Sequence, residues 1–140
     1  MLDWSGLRPP LAIALGAIGG SLARYYVSQA IASWSAAWGA GFPYGTAIVN
    51  VSGAIAMGVL ATLAARHFPS ISPEVKLIIG TGFLGSYTTF STYALESVSL
   101  WSSGRGGLAL VYWLGSAVLG LVGVGVGVGL GNAIGRNFTP

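Results

Sequence analysis

Residues 82–96 read GFLGSYTTFSTYALE. They lie inside an otherwise apolar segment, from about Pro73 to Trp101, that is longer than a membrane crossing requires. Gly80, Gly82 and Gly85 interrupt it, followed by Ser86, Thr88, Thr89, Ser91 and Thr92. This pattern predicts a helix broken near residues 85–88. Irregular backbone at membrane depth survives only where protein or a water-filled cavity satisfies the released polar groups.

The rest of the chain supplies the membrane context. Of 140 residues, 54% are hydrophobic and 6% charged, whereas a soluble domain carries roughly a quarter charged residues. So few charges leave most of the exterior apolar, and lipid is the solvent that suits it. A hydrocarbon core of about 30 Å needs about 20 helical residues. Four stretches meet that length: about 10–32, 44–65, 73–101 and 106–132. The expected fold is therefore an all-α integral membrane protein forming one transmembrane domain over residues 1–140.

Local signals bound these spans. Pro10 suits a first helical turn, and Trp34 and Trp38 suit the membrane interface. Arg66, His67 and Pro69 stop the second span, and Glu74 and Lys76 follow. The alternation of glycine and valine at residues 123–129 resembles a strand. In lipid, however, unpaired strand backbone costs several kcal/mol per group, against about 1 kcal/mol per helical glycine. As a helix, it places Gly123, Gly127 and Gly131 on one close-packing stripe. Arg8 before an apolar run and the Ala30-x-Ala32 pattern invite a signal-peptide reading, but Arg24 and the later spans argue against it. An even number of crossings puts Arg8, Arg66, Lys76 and Arg136 on one side and Arg105 on the other, a modest bias toward cytoplasmic termini.

Polar residues within the spans are the functional candidates. Arg24 is either a snorkelling side chain or a cation lining an aqueous vestibule. Thr46 and Asn50 share a helical face continued by Gly53 and Met57. The Asn50 amide can serve an anion or bind helices together. Tyr112, Ser116 and Gly120 repeat at four-residue spacing, and a membrane serine often bonds a carbonyl one turn back. Phe90 and Tyr93 suit packing or a pore wall. Glu96, costly in lipid, requires a partner or an aqueous mouth.

Several classes are excluded. The six basic residues are scattered, which gives no nucleic-acid surface. There are no cysteines, one histidine and three carboxylates, which offer no paired acid, base and nucleophile for an enzyme. There is no phosphate-binding G-x-x-x-x-G-K-[ST] loop. The first span also lacks the acidic residue that a small proton-coupled exporter uses.

GAIGGSLARYY (Gly16–Tyr26), FPYGTAIVNVSGAIAMG (Phe42–Gly58) and GFLGSYTTFSTYALE (Gly82–Glu96) together resemble the Fluc (CrcB) fluoride channel family. The resemblance implies an antiparallel, dual-topology homodimer in the plasma (inner) membrane, with lipid around it and two passive fluoride pores conferring fluoride resistance. It places the pore asparagine at Asn50 and the pore-facing aromatics at Phe90 and Tyr93, the second replacing a family phenylalanine. It puts a polar track at Tyr112 and Ser116, thinned at Gly120, and a vestibule cation at Arg24. A structural Na+ at the dimer interface falls on the Gly85 and Thr88 carbonyls, with Ser86 standing where the family has glycine. The charge bias near the termini departs from dual topology and also suits a fixed-orientation paralogue. Asn50, Thr46, Ser116, Tyr112 and Tyr93 carry hydrogen-bond donors for a compact anion, and the Phe90 ring edge is partly positive. The alternatives are a coupled fluoride or small-anion transporter, and a non-conducting membrane scaffold.

Overall fold

A computed structural model describes residues 8–35, 41–68 and 70–137. The interfacial Trp38 and the helix-stopping Pro69 fall outside these residues. The described residues are helical with no strand, and three helices are apolar and long enough to cross a membrane. This is an all-α membrane protein.

The first long helix, α1, spans Arg8–Ser35. The second, α2, spans Tyr44–Thr62 and ends in a π-helical turn, Leu63–His67. Helix α3, residues 73–87, begins with Ser72 accepting a hydrogen bond from the Val75 N–H and has Pro73 in its first turn, both standard helix-start devices. Its middle, Leu77–Leu84, is π-helical. Thr88 and Thr89 then adopt extended dihedrals, and α4 spans Phe90–Ser102. The last helix, α5, spans Gly106–Arg136.

Two glycine-lined seams hold the bundle. On α5, Gly123, Gly127, Gly131 and Gly135 are buried. Their missing side chains leave room for Val51 and Ile55, then Ile55 and Gly58, then Val59 and Thr62, then His67. The ascending order on both helices means that α2 and α5 run parallel. Gly16 and Gly20 of α1 likewise receive the carbonyls of Ile78 and Phe83, and Gly82 of α3 receives that of Ile13. Lipid tails supply no hydrophobic drive between helices, so close backbone approach of this kind carries the association.

A Cβ at Gly127 would overlap the Ile55 carbonyl oxygen, while one at Gly129 meets nothing within 4 Å. Gly127→Ala is therefore expected to destabilise the protein by about 1–3 kcal/mol. Gly129→Ala should be neutral or slightly stabilising. Thermal unfolding in detergent compares them directly.

Candidate functional site

The site is built where one face of α2 meets the Thr88–Thr89 interruption. Thr46, Asn50 and Gly53 lie along that face and meet Glu96, Thr89 and Thr88 respectively. A Cβ at Gly53 would overlap the Thr88 methyl group, so the glycine lets the interruption sit against the helix.

Asn50 makes a two-point contact. Its Nδ2 donates to the Thr89 carbonyl at 3.0 Å, and its Oδ1 accepts from the Thr89 N–H at 2.8 Å. The side chain thereby satisfies the Thr89 N–H that the interruption releases and adds a donor to the N-cap carbonyl. One amide hydrogen of Asn50 remains available. Thr89 also caps α4, its Oγ1 accepting from the Thr92 N–H at 3.2 Å and donating to Thr92 Oγ1 at 3.0 Å. In the linear sequence Thr89 stands only as one of the polar residues that interrupt the helix. Its position just before a helical run, where N-cap threonines are favoured, was the signal for this second role.

Glu96 is held by hydroxyls. Thr46 Oγ1 donates to Oε1 at 2.9 Å and the Tyr112 hydroxyl donates to Oε2 at 2.6 Å. Nothing in the linear spacing joins residues 46, 96 and 112. The Tyr93 hydroxyl donates to the Trp113 carbonyl at 2.6 Å, a partner that no spacing along the chain identifies. The protons of Tyr112 and Tyr93 are thus committed inside the protein. Ser116 differs: among the described residues its hydroxyl makes no hydrogen bond, so it does not bond back to its own helix.

These residues line two clefts. The first, of about 600 Å³, is the more polar of the two and includes Arg24, Ser28, Gln29, Thr46, Thr92 and Glu96. Its α1 wall runs from Ser21 to Ser35, ~21 Å of helix at 1.5 Å per residue. Ser21, Arg24, Tyr25, Ser28 and Gln29 recur at three- and four-residue intervals, and Ala32 and Ser35 continue the same face. Helical spacing alone puts these polar residues on the same side of α1 as Arg24. Among the described residues, Arg24 has no hydrogen-bond or ion-pair partner.

The second cleft, of about 660 Å³, is mostly apolar and includes Asn50, Phe90, Tyr93, Ser116 and Gly120. Phe90 is 79% exposed, and its ring lies 5.8 Å from that of Tyr93. Thr89 lines both clefts. The buried Tyr112 lines neither, because its ring packs on Phe42 and Tyr93.

A cation here would have to be held by carbonyls, since no cluster of acidic or imidazole side chains with metal-binding proximity occurs among the described residues. The Thr88 carbonyl receives no hydrogen bond among those residues, and the Thr89 N–H, which a continued helix would give to Gly85, goes to Asn50. Carbonyl oxygens such as those of Gly85 and Thr88 are the ligand type that a hard cation prefers. Two carbonyls fall short of the six or so that such ions take.

A family model described as CrcB-like protein, Camphor Resistance (CrcB), matches residues 11–128. The chain is 56% identical over 115 residues to a protein named fluoride-specific ion channel FluC from Synechococcus sp. (strain JA-2-3B'a(2-13)), covering 81% of this chain and 85% of that protein. Proteins of the same name from Synechocystis sp. (strain ATCC 27184 / PCC 6803 / Kazusa) and Trichormus variabilis (strain ATCC 29413 / PCC 7937) are 48% and 44% identical. The first match covers 96% of this chain and 98% of its relative, the second 97% of each.

Proposed function

The chain belongs to the CrcB family, and from that membership and the cleft geometry we propose a passive fluoride channel that lets cytoplasmic fluoride leave the cell. It is not an enzyme. The observation that carries the reading is that Thr89 lines both clefts, one holding Arg24 and the other an apolar, aromatic groove beside Asn50.

Fluoride holds its water strongly, so a selective path must return donors for each water removed. Arg24 offers charge, Asn50 its remaining amide hydrogen and Ser116 an uncommitted hydroxyl. Phe90 offers a partly positive ring edge and no group that would hold the ion too long. Hydrogen fluoride crosses lipid as a neutral molecule and ionises in a near-neutral cytoplasm. Fluoride therefore accumulates inside and runs outward without an energy source.

In this reading α3 and α4 together make the third of four crossings, and the working unit is an antiparallel homodimer with two pores in the plasma membrane. The largely exposed Phe90 favours that arrangement, because a second copy would close the open side of the groove. Sodium shared between the Gly85 and Thr88 carbonyls of two copies would supply fixed positive potential near both pores.

Fluoride efflux from reconstituted vesicles, compared with chloride under identical gradients, tests the proposal. Stepwise fluoride currents without chloride currents are expected. Saturating flux that follows an imposed proton gradient would establish a coupled transporter instead.

The Tyr93 hydroxyl points to a helix carbonyl, so it serves packing and leaves the ring edge to the groove. Tyr93→Phe is expected to keep fluoride flux within about twofold of the parent. The lost hydrogen bond should lower stability by about 1 kcal/mol. Paired flux and unfolding measurements separate the two effects.

A further inference from the structure

Gly41 lines the outer end of the polar cleft together with Ser35, Phe42 and Pro43. Its backbone has φ of 126°, and a Cβ there would overlap Nη1 of Arg105. The guanidinium of Arg105 therefore lies against the cleft rim. Its Nε donates to Ser103 Oγ at 3.2 Å, which fixes the side chain across the turn before α5. Arg105 is exposed and, among the described residues, has no acidic partner.

Arg24 lies deeper in the same cleft, 11 residues from Ser35 along α1, or ~16 Å of helix. The only carboxylate lining the cleft among the described residues is Glu96, already engaged by Thr46 and Tyr112. The cleft thus carries one cation at its mouth, one at depth and one carboxylate between, leaving a net positive field for an anion entering from this end. Low-dielectric walls focus such a field and raise the local concentration of the opposite charge.

We infer that Arg105 is the outer element of a two-step anion funnel, concentrating fluoride at the mouth and passing it to Arg24. This inference rests on the channel reading, and it assigns Arg105 a positioning role through its charge, with no direct contact in the groove. A unit charge about 7 Å from an ion in water changes its local concentration by about two- to threefold. The effect fades as the screening length falls from about 10 Å at 0.1 M salt to about 3 Å at 1 M.

The test is single-channel fluoride conductance of the full chain, measured at constant fluoride while potassium gluconate is raised from low to 1 M. Arg105→Gln should lower conductance about two- to threefold at low ionic strength, Arg105→Glu should lower it further, and Arg105→Lys should keep it near the parent. All four should converge at high ionic strength. A loss that persists at 1 M, or that Arg105→Lys shares, would mean that the guanidinium only packs the turn against Gly41, and would overturn the inference. Equal conductance at low ionic strength would overturn it too. If the parent protein itself carries no fluoride current, the channel reading fails before the Arg105 series is compared.

Discussion

Asn50→Asp is expected to reduce fluoride efflux by at least about 100-fold, the largest functional loss of any single substitution considered. Two changes act together. The carboxylate has no N–H, so both the bond to the Thr89 carbonyl at 3.0 Å and the remaining donor in the groove disappear. A hydrogen bond to a charged group is worth about 1.5–3 kcal/mol, and 1.36 kcal/mol is a factor of ten in rate. Loss of the anion donor alone therefore accounts for about 10- to 100-fold. The new negative charge beside the groove repels the permeant ion and raises the loss further.

Asn50→Ala separates these effects. It adds no charge, but it strands the Thr89 N–H, at about 1–3 kcal/mol for a buried unsatisfied donor. Its signature should be a lower unfolding temperature together with reduced flux. Efflux from vesicles at matched protein density, with thermal unfolding in detergent, reads both quantities. Parent-like efflux from well-folded Asn50→Asp would remove Asn50 from the conducting path.

The membrane class and the glycine seam were legible because each rests on local periodicity. Composition and span length reveal apolar helices, and a four-residue glycine repeat reveals the α5 face that touches α2. The Thr46–Asn50 face was legible on the same ground, since helical spacing alone puts both side chains toward one neighbour. The partners were not legible. Glu96 meets hydroxyls 50 positions before it and 16 after it, and only the packed bundle brings them together. The commitment of the Tyr93 proton to Trp113 has the same origin, because it depends on how α4 rotates against α5.

The two readings of Ser116 show why spacing stopped short. A serine on a membrane helix satisfies its hydroxyl by bonding back one turn or by facing a polar path, and both use the same residue at the same position. Side-chain geometry is what spacing lacks: Ser116 lines the groove without a partner among the described residues, whereas Ser97 bonds back to the Tyr93 carbonyl at 2.7 Å.

Phe90→Ile is expected to reduce fluoride flux by about 10- to 100-fold while leaving the stability of the isolated chain within about 0.5 kcal/mol of the parent. The separation follows from exposure. A side chain that is 79% exposed makes few contacts within its own chain, so exchanging it removes little packing and the loss of flux cannot be ascribed to misfolding. Isoleucine retains apolar bulk in the groove but lacks the positive ring edge that an aromatic quadrupole presents to an anion. Phe90→Tyr keeps that edge and should retain most of the flux. If Phe90→Ile conducted as well as the parent, the groove would need only an apolar constriction, and anion recognition would fall to Asn50, Ser116 and Arg24 alone. If Phe90→Tyr failed along with Phe90→Ile, shape would outweigh the ring edge, because the added hydroxyl alters fit while preserving the aromatic face.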